Sequence, residues 1–344
     1  MHMEFTYLLI LFLSTLLFVG FFTPIVRNVA IGKGIYDFPN SGHKSHLVPI
    51  PYLGGISIIF GVTIVSFTAI LILIPSIENF LLAISIFFPA ITLALVGLVD
   101  DLRGLSPLSR FVTQTFFGIL ITVTIIRAND LGNPTGNSLI DAAITILWIV
   151  GICNAINFFD NIDGGATGTS AISSATITYL AMLNGQNYIA ALSIVLTGGT
   201  LGFLIWNKSP ARIYMGDAGS LFLGVMLSML TIRLKPDTSS ALYSLATPVL
   251  VLAMPLMDIT VAVFSRLHRN ISPFTGGQDH LSHRLIRSGL SRKVSVVILW
   301  FLSLFFCLVA ILLSVPSLPH QVIFIISVVV WLLLFIWFFT KNNF

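Results

Sequence analysis

Long apolar runs recur along the whole chain, at 5–25, 54–74, 80–99, 111–127, 139–157, 167–183, 188–206, 218–232, 242–264, 294–315 and 321–340. A hydrocarbon core about 30 Å thick takes about 20 apolar residues per helix. Inside lipid each backbone N–H and C=O must pair within its own segment, which helices achieve. The runs therefore predict an all-α, polytopic integral membrane bundle of about 11 transmembrane helices, treated as one domain over 1–344. The run at 218–232 is short for a span and has to stand nearly upright or be shielded by protein. The first run lacks a basic flank and a small-residue cleavage site, so it is expected to be retained as a span.

Composition agrees. Of 344 residues 56% are hydrophobic and 9% charged, against about 25% charged in a soluble domain. That excludes an ordinary soluble enzyme, a disordered chain and a nucleic-acid binder built on basic patches. The 17 Lys and Arg barely outnumber the 13 Asp and Glu, so their placement matters more than their sum. With these spans, only Arg127, Arg233 and Lys235 fall in one set of loops and the other Lys and Arg fall in the opposite set. The positive-inside rule then predicts an outward N-terminus and a cytoplasmic C-terminus. Cys153 and Cys307 lie in apolar runs without partner spacing, and both read as packing residues.

The acids collect on the predicted cytoplasmic side. Asp37, Asp100, Asp101, Asp160, Asp163, Asp217, Asp258 and Asp279 all fall on or near it. A carboxylate there is costly unless paired, solvated or bound to a cation. Asp100-Asp101 ends an apolar run, and adjacent carboxylates suit metal binding or general-base work, or simply a solvated helix cap. Asn154, Asn157, Asp160 and Asp163 recur at every third residue before Gly164-Gly165. If the helix continues they form a polar stripe of oxygen donors suited to Mg²⁺, with interhelical contact as the plainer alternative.

Met215-Gly-Asp217-Ala-Gly219-Ser220 opens the 218–232 run as a glycine-rich turn before a helix, an anion site by its free N–H groups or an ordinary capped start. The loop near 265–293 carries Arg266, Arg269, Asp279, His280, His283, Arg284 and Arg287. Its arginines suit phosphate, and two histidines without cysteine make a weak zinc site. A loop that only sets topology or meets anionic lipid is the alternative. Upstream, His43-Lys44-Ser-His46 and Pro51-Tyr-Leu-Gly54-Gly55 offer either a further phosphate clamp or a proline-rich turn.

In this order, Pro-x-x-Gly-Gly, Asp-Asp, Asn-x-x-Asn-x-x-Asp-x-x-Asp-Gly, Met-Gly-Asp-x-Gly-Ser and a His-containing loop, the chain resembles the polyprenyl-phosphate N-acetylhexosamine-1-phosphate transferases, glycosyltransferase family 4. The resemblance covers roughly residues 33–293. It implies transfer of a sugar 1-phosphate from a UDP-sugar to undecaprenyl phosphate, releasing UMP, with Mg²⁺ or Mn²⁺ in its place. By motif position it implies Asn157 and Asp217 as metal ligands, and Asp100, supported by Asp101, as the residue acting on the lipid phosphate. Asp160 and Asp163 match positions tied to catalysis and nucleotide binding, and the loop with Asp279, His280, His283 and Arg284 matches one that closes over the sugar nucleotide. His46, Arg110 and Arg212 join as phosphate-binding candidates.

The loops at 26–53, 100–110, 158–166, 207–217 and 265–293 would then form a cytoplasmic active site in a bacterial inner membrane, with a homodimer left open. Two departures stand out. Ser282 replaces the middle histidine of His-x-His-His, and Arg110 stands where relatives often carry Lys. The loop lacks the Pro-Leu-His-His-His string of the muramoyl-pentapeptide branch, which favours UDP-GlcNAc and leaves UDP-GalNAc as an alternative. A nucleotide-sugar or lipid transporter would instead predict midplane charges and symmetric halves. A CDP-alcohol phosphotransferase would need an Arg after Asp163-Gly-Gly-Ala, where Thr167 stands.

Overall fold

The computed structural model describes residues 5–37, 49–73, 76–127, 135–235, 240–315 and 317–340. Helices α1 (Phe5–Gly32), α2 (Gly55–Leu73), α3 (Ile77–Arg103), α4 (Pro107–Arg127), α5 (Ser138–Phe159), α6 (Gly165–Leu183) and α7 (Asn187–Asn207) are followed by α8 (Gly216–Arg233), α9 (Ala241–Val251), α10 (Ala253–His268), α11 (Leu281–Arg287), α12 (Arg292–Leu312) and α13 (His320–Thr340). Each expected span coincides with a helix, or with the α9–α10 pair. Among the described residues eight helices are long and apolar enough to cross a membrane, and α9 with α10 passes the same test only as a pair, bent by 76° as in a broken span or a re-entrant segment.

Helices α6 and α8 fall outside that set, α6 because it is rich in Gly, Ser and Thr and α8 because it is short and carries Asp217 and Arg233 at its two ends. Both lie inside the bundle: α8 is buried from Ala218 to Thr231 without interruption, sheltered by α3, α5 and α2. A helix wrapped by other helices needs no apolar outer face. This is the shielding that so short a span requires.

The expected single span at 242–264 is broken at Leu252. Pro255 has no N–H to give to the carbonyl of Val251, and its ring crowds that carbonyl. The freed oxygen of Val251 accepts from Ser173 Oγ at 2.8 Å and lies 3.7 Å from Cys307 Sγ. Cys307 therefore packs, as expected, and also meets a polar atom the break exposes.

The long loop before α12 holds a two-turn helix, α11, that periodicity did not announce. Strands β1 (Tyr36–Asp37) and β2 (Ile50–Pro51) pair antiparallel with Tyr36 opposite Pro51. Pro51 accepts from Tyr214 N, while Tyr214 and Met215 accept from Gly54 N and Gly55 N. These bonds tie the entrance of α8 to that of α2.

Candidate functional site

The site is built where α3, α5 and α10 end and α4 and α8 begin. Helix α3 stops at Gly104, whose φ of 67° is left-handed, and the chain turns into α4 within three residues. Asp100 closes this turn: its Oδ1 accepts from Leu105 N at 2.6 Å, and its Oδ2 lies 3.0 Å from Nη1 of Arg110 on the first turn of α4. The same Nη1 is 3.3 Å from Asp217 Oδ2. One guanidinium, about a third exposed, thus bridges two carboxylates from separate helices.

Asp101 points elsewhere. Its two oxygens accept from the backbone N–H groups of Asp217 (3.0 Å) and Ala218 (3.2 Å). The anion expected at the start of α8 is the chain's own carboxylate, placed where the helix dipole favours it. Gly216 fits because its φ is +75° and because a Cβ there would stand 2.6 Å from Asp101 Oδ2. Tyr52 secures the other side, its hydroxyl donating to the carbonyl of Asp101 at 2.7 Å.

The expected stripe down one helical face divides. Helix α5 ends at Phe159 and Asp160 is its C-cap, so Asp160 and Asp163 lie in a turn, with Gly164 at φ 75° starting α6. The glycine pair starts the next helix. Asn157 keeps its expected place: Nδ2 donates to Asp217 Oδ1 at 2.8 Å and to Ser220 Oγ at 2.9 Å. The Asp160 carboxyl takes neither a hydrogen bond nor an ion pair among the described residues, while its backbone N–H caps α5. Loss of solvent, then the charges of Asp217, Asp101 and Asp163, raise its carboxyl well above the usual range. Asp163 turns away, accepting from Ala211 N at 3.1 Å with the Tyr214 hydroxyl at 3.5 Å; it braces the 207–215 segment.

Among the described residues no three His, Cys, Asp or Glu side chains are grouped closely enough to hold a metal between them. Mg²⁺ rarely asks for that; it takes one or two carboxylates, keeps waters and shares phosphate oxygens. Asp217 and unpaired Asp160 are carboxylates that fit this, Asn157 would add its amide oxygen once the amide that now turns Nδ2 toward Asp217 flips, and the mutual repulsion of these carboxylates is what a cation relieves.

The loop after α10 is held by an ionic core. Asp279 Oδ2 is 3.0 Å from Nε of buried Arg266, and Arg269 pairs with Oδ1. Burial opposes the charge on Asp279, but these arginines outweigh it and hold the carboxyl below its ordinary value. Asp258 of α10, fully buried, accepts from His280 Nδ1 and from Leu281 N, both at 2.7 Å. The His280 ring meets Phe158 edge-on at 5.5 Å, and the Arg266 guanidinium lies over the same phenyl ring at 5.3 Å. Sequence reasoning counts Asp258 among the acids of the cytoplasmic side but gives it no role; an acid inside an apolar span is the available signal. Ser282 donates to Asn161 Oδ1, which pins the loop to the turn after α5.

Three expected substrate binders, His283, Arg284 and Arg212, are otherwise placed. Burial, then His280, push His283 down to about 4, so it is a neutral imidazole at pH 7. Arg284, 3% exposed, donates from Nε to the carbonyl of Asp279 and from Nη1 to that of Phe338, each at 2.8 Å. Arg212 is exposed and lies over the Trp206 ring at 5.6 Å. His46, with His43 and Lys44, lies outside the described residues.

Arg284 in effect ties the end of α13, a helix with only Ser327 and Phe338 buried, to the loop. Arg284→Ala is expected to lower the melting temperature of the purified protein, by removing bonds each worth about 1.5–3 kcal/mol to a charged donor. Arg284→Lys is expected not to restore it, since one ammonium lacks the fork that spans both carbonyls. An unchanged melting curve for Arg284→Ala would remove this tie.

A cavity of about 420 Å³ opens between α4, α5 and α10. Arg110, Asn157 and Asp217 line it together with Gln114 and Asn154, and most of the remaining lining is apolar, Ile146, Leu147 and Val263 among it.

Residues 83–235 match the family model described as glycosyl transferase family 4. The chain is 34% identical over 336 residues to a Bacillus subtilis protein named probable undecaprenyl-phosphate N-acetylglucosaminyl 1-phosphate transferase, covering 96% of this chain and 88% of the relative. It is 29% identical over 320 residues to the decaprenyl-phosphate N-acetylglucosaminephosphotransferase of Mycolicibacterium smegmatis, covering 84% and 77%. It is 28% identical over 252 residues to the phospho-N-acetylmuramoyl-pentapeptide-transferase of Staphylococcus carnosus, covering 67% and 76%.

Proposed function

The chain belongs to glycosyl transferase family 4, and from that premise we propose that it transfers GlcNAc-1-phosphate from UDP-GlcNAc to undecaprenyl phosphate, releasing UMP. The observation that carries the acceptor half is the cavity: cationic Arg110 at an anionic mouth, then an apolar passage between helices. A lipid phosphate has that same division of polarity. The relatives named for N-acetylglucosamine support the sugar, and the end of the bundle that holds the site carries most of the Lys and Arg, which supports a cytoplasmic face.

In the reaction an oxygen of the lipid phosphate attacks the sugar-linked phosphorus. The bond to the bridging oxygen breaks and UMP leaves with that oxygen and its electron pair. A phosphate monoester is already mostly dianionic at neutral pH, so the obstacle is repulsion between two anions more than proton removal. Arg110 answers it from the acceptor side, aimed by Asp100, which fixes the guanidinium against the turn that Leu105 closes. Asp101 holds the first turn of α8 and thereby sets where Asp217 stands. Asp217, Asn157 and Asp160 would hold Mg²⁺, which when bound neutralises pyrophosphate charge and polarises the phosphoryl oxygen. The Asp258-anchored loop holds His280 against Phe158, which Arg266 of α10 also covers, and Phe158 lines the cavity, so these two side chains are the ones offered to the sugar nucleotide.

The test is UMP release by purified protein given undecaprenyl phosphate, Mg²⁺ and, separately, UDP-GlcNAc, UDP-GalNAc or UDP-MurNAc-pentapeptide. Release is expected from UDP-GlcNAc alone, lost with EDTA and recovered with excess Mg²⁺ or Mn²⁺. Release from another donor overturns the sugar, and EDTA-resistant release overturns the metal.

A further inference from the structure

Gln114 sits on α4 one turn beyond Arg110, about 6 Å deeper along the helix axis. It is 4% exposed and lines the cavity. Its Oε1 accepts from Asn154 Nδ2 at 2.6 Å, and the same Nδ2 donates to the carbonyl of Val150 at 2.8 Å. That second bond fixes both amides. A carbonyl oxygen only accepts, so the Asn154 atom facing it is nitrogen, and the Gln114 atom facing that nitrogen is oxygen. Gln114 Nε2 is therefore turned away from Asn154, with two N–H donors that meet no acceptor among the described residues.

A buried amide with unused donors is costly in an apolar span. The four-residue spacing to Arg110 and the three-residue spacing from Asn154 to Asn157 put two polar layers across the gap between α4 and α5. Arg110 with Asn157 is the outer layer and Gln114 with Asn154 the inner; Ile146 and Leu147 continue the wall. The inner layer thus stands where a charged head must become an apolar chain.

We propose that Gln114 binds the acceptor, its Nε2 donating to a phosphate or ester oxygen where the head group of polyprenyl phosphate joins the isoprenoid. The inference rests on the acceptor assignment above. Asn154 is a positioning residue that selects which end of the Gln114 amide faces the cavity.

Kinetics of the full chain in detergent, with each substrate varied in turn, test it through Gln114→Leu and Gln114→Glu. Losing a hydrogen bond to a charged group predicts a KM for undecaprenyl phosphate raised about tenfold to a hundredfold in Gln114→Leu. A larger rise is expected in Gln114→Glu, which sets an anion against an anion. The KM for UDP-GlcNAc is expected to stay within about twofold of wild type, because the donor meets other residues. An unchanged acceptor KM in either variant overturns the proposal, since water then serves the amide. A parallel rise of both KM values with a lowered melting temperature also overturns it, because the role is then packing.

Thermal stabilisation by undecaprenyl phosphate without any donor keeps the two readings apart. Stabilisation kept in wild type and lost in both variants supports Gln114 whichever sugar nucleotide reacts. No stabilisation of wild type overturns the acceptor assignment and Gln114 together. Stabilisation of wild type with no UMP from any donor overturns the donor assignment alone.

Discussion

Asp217→Asn is expected to cut UMP release roughly 10²–10³-fold, the range found when one electrostatic contact to a developing charge is lost. It is also expected to raise the Mg²⁺ concentration needed for half-maximal rate. The substitution keeps the shape of the side chain and removes one charge from the oxygen set that includes Asn157 and Asp160. Little else depends on that charge. The first turn of α8 is capped by Asp101 through the backbone of residues 217 and 218, Arg110 retains Asp100 at 3.0 Å, and Asn157 can still donate to the amide oxygen. The melting temperature should therefore stay near wild type while turnover falls. Wild-type turnover with ordinary Mg²⁺ dependence would take Asp217 out of the metal site.

The bundle was legible because a bilayer leaves few choices: every apolar run long enough to cross became a helix or, at 242–264, a bent pair of helices. What periodicity missed were events of one or two residues. Pro255 breaks a crossing that hydropathy reads as continuous, and α5 stops at Phe159 although the three-residue spacing of polar side chains runs on to Asp163. The acids of the site could be read because a carboxylate at the end of an apolar run needs a reason. Their division of labour could not. Asp100 and Asp101 are neighbours in sequence, yet one aims a guanidinium at the cavity and the other caps α8, 116 residues away. Likewise the partnership of Asp258 with His280 joins residues 22 apart across a bend, and the useful end of the Gln114 amide is decided by what Asn154 does with its other hydrogen. These are properties of packing, to which composition and spacing are blind.

Gly97 is the sharpest case, since in sequence it is one small residue inside an apolar run. In the fold it is where α3 passes the start of α8. A Cβ at 97 would lie 2.5 Å from the carbonyl oxygen of Asp217 and 2.7 Å from the nitrogen of Ala218. Those are backbone atoms, so no rotamer change relieves the clash. Nor can α8 retreat, because on its far side a Cβ at Gly55 would already stand 2.4 Å from Gly219 Cα. Gly97→Ala must push α3 and α8 apart, carrying Asp100 and Asp101 away from Asp217. A displacement of about 1 Å at catalytic groups costs about a hundredfold in rate, and the parting helices lose van der Waals contact that lipid does not replace. The expected result is turnover down about a hundredfold with a lowered melting temperature, so that one methyl group acts as a mutation of the proposed metal site. Gly20→Ala is the matched control: its Cβ would meet Ile205 Cδ1 at 3.7 Å, an ordinary contact, and both readouts should stay near wild type. If Gly97→Ala behaves like Gly20→Ala, the close approach of α3 to α8 does not set the geometry of the site.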